Sequence, residues 1–261
     1  MRLVSCVGAF LLTVFAAVTA FAQTTPPGAD HYLVYKVLNP PTFVTPVLLH
    51  DQFMANTYQT YTMDYFMTPV DKNNEGIIDP ITHYTWWKIT TFQFGATCVL
   101  TNQFGPTIPV TVGSTEYLLN PALKSIPPQP PATGPIPIKD HFTVYDASTF
   151  LVNIPVLLVD QFGPYPAVVE PLVYLAAPAD KVLPGQQPEP APDLVDHLAI
   201  YTIIPQGPAP PPPPPPVFAT DEFGVWQLVL GDRVMLCVPS FKNQVTDTKS
   251  STWGRLKQLY R

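Results

Sequence analysis

Charge is scarce in this chain. Asp, Glu, Lys and Arg make up 12% of its residues, against roughly 25% in an ordinary soluble domain. Positive charge is the scarcer sign, with 13 basic residues against 19 acidic. No basic cluster is large enough to neutralise a phosphate backbone, so nucleic acid is not an expected partner. After the N-terminal stretch no segment stays apolar for 18 residues, so no integral membrane span is expected in the rest of the chain. Cysteine is limited to Cys6, Cys98 and Cys237, with no C-x-x-C and no metal-type spacing. There is no G-x-S-x-G, H-E-x-x-H, phosphate loop or dinucleotide fingerprint to suggest a familiar reaction.

What is present in excess is proline, at 35 of 261 residues, where about 5% is usual. Proline breaks helices and central parallel strands. A helix bundle, a coiled coil and a doubly wound α/β enzyme are therefore excluded. Hydrophobic residues still reach 46%, enough for a core.

Residues 1–22 read as a secretory signal peptide. Arg2 gives the positive start, Leu3 to Val18 the apolar run, and Ala20-Phe21-Ala22 the small-x-small cleavage site before Gln23. Its removal leaves 12 basic against 19 acidic residues, a net charge of −7. The expected location is secreted or periplasmic, where an oxidising environment permits a Cys98–Cys237 bridge. Residues 243–261 form a tail with a weak basic bias from Lys249, Arg255, Lys257 and Arg261.

The strongest signal is internal repetition. Four segments open alike: Asp30-His31-Tyr32-Leu33-Val34-Tyr35, Thr82-His83-Tyr84-Thr85-Trp86-Trp87, Asp140-His141-Phe142-Thr143-Val144-Tyr145 and Asp196-His197-Leu198-Ala199-Ile200-Tyr201. Each reaches a second signature: Asp51-Gln52-Phe53, Asn102-Gln103-Phe104, Asp160-Gln161-Phe162 and Asp221-Glu222-Phe223. Each closes on Pro and Lys: Pro69 with Lys72, Pro121 with Lys124, Pro178 with Lys181, Pro239 with Lys242. From His to the second-signature Phe the steps are 22, 21, 21 and 26 residues, and from that Phe to the closing Pro 16, 17, 16 and 16. The one long step holds the run Pro210 to Pro216, which reads as a stiff polyproline II loop. The longest proline spacer is central. The expected organisation is thus units one and two over 23–125, a proline-rich linker over 126–139, and units three and four over 140–242.

Short runs of Val, Ile, Thr and aromatics bounded by Pro, Gly, Asn and Asp are strand grammar. Tyr32/Tyr84/Phe142/Leu198 and Val34/Trp86/Val144/Ile200 share one parity in the first strand of each unit, so they mark its core face. Gly105, Gly163 and Gly224 follow the second signature, where a turn needs positive φ. The fold expected is all-β: four tandem repeats of three or four antiparallel strands, packed in pairs as sandwiches or partly open barrels, since one such sheet alone is marginal. A four-bladed propeller is the alternative.

The ordered signatures Asp-His-aromatic-x-x-Tyr, Asp-Gln-Phe-Gly and Pro-x-Asp-Lys-Asn resemble an uncharacterised repeat domain of secreted bacterial and archaeal proteins, over residues 30 to 242. The resemblance implies paired cysteines beside the first-strand aromatic and before the closing proline. Here those places hold Val34, Trp86, Val144 and Ile200, then Met67, Leu119, Ala176 and, retained, Cys237. It implies no activity.

Three groups of residues are candidates for chemistry. His31, His83, His141 and His197 recur in every unit and are read as fixing the strand start, with the preceding Asp in three copies. Tyr35, Trp87, Tyr145 and Tyr201 lie on the other strand face, either as core between units or as a ligand-binding row for a glycan or protein, with Trp87 the best carbohydrate platform. Asp71, Asn73, Glu75 and Asp79, with Gly76 between, imitate the start of a calcium loop; a plain polar turn is the alternative, and no other cofactor is implied. A repeated residue fits a job done in every unit better than a single active site. The function expected is therefore a secreted, non-enzymatic structural or surface-interaction protein, with self-association among its options. A carbohydrate-binding module and a secreted hydrolase are the alternatives.

Overall fold

A computed structural model describes residues 29–149, 152–207 and 213–247. The signal segment, part of the proline run and residues 248–261 of the tail lie outside the described residues, while 243–247 continue the last strand. No helix forms among those described. The strands follow the repeats. Unit one contains β1 (His31–Val37), β2 (Pro46–Asp51) and β3 (Ala55–Lys72), and unit two β4 (His83–Ile89), β5 (Ala96–Asn102) and β6 (Gly105–Ser125). Unit three contains β7 (His141–Ser148), β8 (Ile154–Asp160) and β9 (Gly163–Val182). Unit four contains β10 (Asp196–Pro205), β11 (Val217–Asp221), β12 (Gly224–Leu228) and β13 (Leu230–Asp247). The all-β, antiparallel repeat architecture expected from the signatures is what forms.

The ladders do not stop at unit boundaries. β1 pairs β3, β3 pairs β4, β4 pairs β6, β6 pairs β7, β7 pairs β9, β9 pairs β10, β10 pairs β13, and β13 pairs β1, all antiparallel. Eight strands thus close a ring with two from each unit. A propeller, the alternative considered, would keep four separate sheets. The β6–β7 ladder joins the strands on either side of the 126–139 spacer.

The long strands β3, β6 and β9 shift register near their middles, at Met63/Tyr65 in β3 and Thr115/Tyr117 in β6, for example, and unit four breaks between β12 and β13 instead. A bulge of this kind bends a strand and sharpens its twist. The half before it leaves the ring and forms a hairpin with the second strand of its unit, β2–β3, β5–β6 and β8–β9, with β11–β12 in unit four. The tight β8–β9 and β11–β12 turns use Gly163 and Gly224 at φ of 107° and 147°, which only glycine adopts freely. The outer edge of each hairpin then pairs with the end of the long strand two units away: β2 with β9, β8 with β3, β5 with β13, and β11 with β6. Units one and three are clasped in this way, and so are two and four.

Both faces of the ring strands are consequently buried. The parity marked as core, Tyr32, Val34, Tyr84, Trp86, Phe142, Val144, Leu198 and Ile200, joins Met67, Tyr117, Leu119, Ala176, Met235 and Cys237 in one cluster. Rings meet there from strands that are not neighbours: Tyr84 and Phe142 at 5.8 Å, Trp86 and Tyr174 at 6.3 Å. Only the inside of a closed ring brings such strands together. The opposite parity, Leu33, Tyr35, Trp87, Tyr145 and Tyr201, forms a second and larger cluster with the hairpins.

The places where the resemblance implies cysteines are cross-strand partners in all four units: Val34 with Met67, Trp86 with Leu119, Val144 with Ala176, Ile200 with Cys237. Cys98 and Cys237 are both free and buried, so the bridge allowed between them does not form.

Candidate functional site

Two sets of repeated residues meet between units, and the topology decides which copy meets which. The first set joins opposite units. The Asp or Asn that ends each second strand accepts the backbone N–H two residues on, as in Asp51 Oδ1 from Phe53 at 2.7 Å and Asp221 Oδ1 from Phe223 at 3.0 Å. This is an Asx turn. Its free side receives the first-strand aromatic from across the molecule. Tyr145 Oη donates to Asp51 Oδ2 at 2.7 Å, and Trp87 Nε1 to Asp221 Oδ2 at 2.8 Å. Tyr35 Oη donates to Asp160, and Asn102 Nδ2 to Tyr201 Oη at 3.1 Å. The signature Phe completes the lock, edge-on to the same ring: Phe53 on Tyr145 at 5.0 Å, Phe104 on Tyr201 at 5.1 Å. Burial raises the carboxyls of Asp51 and Asp221 above their usual range, against the pull of these donors.

Tyr35, Trp87, Tyr145 and Tyr201 are each 0% exposed. They are core joints and present no ring face to solvent, which corrects their reading as a ligand-binding row. The physical reason is the hairpin cover, which turns the outer face of the ring into a second interior.

The second set joins successive units around one rim of the ring. Gln103 of unit two donates to His31 Nε2 of unit one at 2.6 Å, and Gln52 of unit one donates to His197 of unit four. His83 and Gln161, of units two and three, line a common cavity with Lys124, which bonds Gln161. Each His therefore faces the second-signature residue of the next unit, and the cycle closes from unit four back to unit one. Burial, with the nearby closing lysine second, lowers His31 to about 3; His197 falls to about 4, again mainly through burial. His83 and His197 also anchor their strand starts, donating from Nδ1 to the carbonyls of Ile81 at 2.7 Å and Val195 at 2.8 Å. The preceding residue, Thr82 or Asp196, is not their partner. Asp30 instead accepts the N–H groups of Ile78 and Asp79, and Asp140 that of Asp193, clamping the lead-in to the following unit.

One rim junction departs from the others. Between units three and four the signature residue is Glu222 where the other units have Gln52, Gln103 and Gln161. Lys181 is fully buried and spends its three N–H donors on His141 Nε2 at 2.7 Å, Glu189 Oε2 at 3.0 Å and Glu222 Oε2. Lysine has no acceptor, so His141 must be the neutral tautomer with its proton on Nδ1. Burial, and Lys181 second, hold its pKa well below the ordinary value. Glu222 is pushed up to about 7 by burial, against the attraction of Lys181. Its Oε1 is buried without a hydrogen-bond partner. Above this floor opens a cavity of about 550 Å³ whose walls come from the two proline-rich inter-unit segments, with Ile136 to Lys139 on one side and Pro188 to Pro192 on the other.

His141, Glu189 and Glu222 place ligand atoms within 4.8 Å of one another, close enough for a metal ion. The Lys181 ammonium already fills the middle of that triad, so a cation there would have to expel a buried lysine. The calcium-like segment does not converge at all. Asp71 Oδ1 accepts Gly76 N–H at 2.9 Å, Asn73 Oδ1 accepts Leu157 N–H at 2.8 Å, Glu75 bonds Lys72, and Asp79 accepts from Thr82 at 2.7 Å and Lys139 at 3.1 Å. These oxygens serve separate partners, as a polar turn does.

Sequence reasoning singled out all four His residues but not Glu222, Lys181 or Glu189 as a group. The signal available was the lone Glu in a column of three Gln. No family model, curated protein or solved structure matches the chain.

Proposed function

We propose that this chain is a secreted, non-enzymatic β-repeat protein with a structural or surface-interaction role. One observation carries the reading: the residues repeated in every unit are spent on the joints between units. The aromatics meet the Asx turns of opposite units, and the His residues meet the Gln or Glu of successive ones. Buried groups whose polar atoms already serve one another are poorly placed to act on a substrate.

The test is a panel of glycosides, esters and peptides, run with the purified chain, together with fractionation and N-terminal sequencing of the protein recovered from cells. The expected result is no turnover and a chain beginning at Gln23 outside the cytoplasm. Turnover abolished by Glu222→Gln would overturn the non-enzymatic reading, because Glu189 and Glu222 are the carboxylate pair a hydrolase would use. An unprocessed cytoplasmic chain would overturn the secreted one.

A further inference from the structure

The Glu222 cavity carries an inference that goes beyond a structural role and does not depend on it. Three features of its geometry converge. With Glu222 ionised, its floor sets two carboxylates against one ammonium, that of Lys181. Lys139 also lines the cavity but is held at 3.1 Å by Asp79. The floor thus has an uncompensated negative charge. Next, Lys181 has exhausted its donors, and His141 Nε2, 3.8 Å from Glu222 Oε1, has no proton to give. One buried carboxylate oxygen is left wanting a donor, an arrangement that costs free energy until a donor arrives. Glu189, whose side chain is 44% exposed, brings a second carboxylate to the mouth. Finally, the walls are apolar and stay apolar to the rim: Ile136, Pro137, Pro188, Pro190 and Pro192 lead out to Ile138, which is 90% exposed.

We propose that this cavity binds a primary ammonium group carried on an aliphatic stem. The ammonium donates to Glu222 and Glu189, and the stem lies along the proline and isoleucine walls. A bare divalent cation would need the His141 lone pair, which Lys181 already uses, and would leave the apolar walls without a role. A quaternary ammonium brings charge but no N–H for the orphaned oxygen. The same chemistry is offered by a lysine side chain and by a free alkyl amine.

Calorimetric titration of the full chain at pH 8 tests this with n-butylammonium, cadaverine and Nα-acetyl-lysine amide, against n-butanol and tetramethylammonium. The expected result is saturable binding of the primary amines and none of the two controls. Acetyl-lysine amide binding more tightly than butylammonium would identify a protein-borne lysine as the source, and the reverse order a free amine. Glu222→Gln should weaken binding by about ten- to hundred-fold, the loss of a charge-assisted hydrogen bond. This variant restores the residue the other three units carry, so the fold should tolerate it. Glu189→Gln, at a half-exposed position, is the second variant and should also weaken binding. Butanol binding as well as butylammonium, tetramethylammonium binding equally, or an unchanged affinity in both variants would overturn the proposal, as would no saturable heat with any amine.

Discussion

Replacing Ile200 by Cys should close a disulfide between two neighbouring strands of the ring. Ile200 faces Cys237 as its direct partner between β10 and β13, and both are 0% exposed. The bridge would close a loop of about 38 residues, which lowers the entropy of the unfolded chain by an amount worth roughly 4 kcal/mol. Trimming a buried Ile to the smaller thiol costs about 1–2 kcal/mol in lost contact and residual cavity. The net gain is about 2–3 kcal/mol, or roughly 5–10 °C in a melt for a chain of this size. The variant would be refolded in a glutathione redox buffer, its free thiols titrated in denaturant, and its melt compared with and without reductant. In the variant expressed from Gln23 onward, which lacks Cys6, Cys98 alone should remain titratable, and reductant should lower the midpoint below that of the unsubstituted chain. Thiols at both 200 and 237 after oxidative refolding would refute the register and with it the ring.

Tyr145→Phe removes the donor to buried Asp51 and should cost about 1.5–3 kcal/mol in urea unfolding; a double-mutant cycle with Asp51→Asn that gave no coupling would separate the two residues. Glu222 has a folded-state pKa of about 7, above its ordinary value of 4.5. The native state therefore keeps its proton longer than the unfolded chain, and stability from this group is lost as pH rises from about 4.5 to 7. Glu222→Gln should flatten that decline, though Asp140, raised to about 6 mainly by burial, adds a slope of the same sign; melts from pH 4 to 8 with identical slopes would refute the assignment. Calcium and chelator should leave the melting midpoint unchanged, since the oxygens of Asp71, Asn73, Glu75 and Asp79 bond separate partners; a calcium-dependent rise would show that they can converge.

Much of this structure is legible because the chain states it four times. The His marks where β1, β4 and β7 begin, the parity of Tyr32 and Val34 is the inner face, and Asp-Gln-Phe does end a second strand. What stays hidden is the partner of each signature. Tyr35 and Asp160 are 125 residues apart, and nothing local in either segment says whether an aromatic meets the Asp of its own unit, the next or the one opposite. Ring closure settles that, and it follows from the bends in β3, β6 and β9 and the break between β12 and β13, which a hydrophobic pattern of period two does not encode. Hence Trp87 could be read as a platform: its strand position offers an open face until the unit-four hairpin covers it. The Glu222 junction was masked for the same reason, because one Glu among three Gln matters only once Lys181 and His141 are known to lie beneath it.

Because β13 is hydrogen-bonded to β1 and the His197–Gln52 joint is of the same kind as His31–Gln103, the order of the units around the circle is cyclic even though the gene is linear. A circular permutant cut within 126–139, with the old ends joined by a spacer as long as the natural inter-unit segments, should rebuild the same set of neighbours. Every joint would keep its partner, and only the numbering would change.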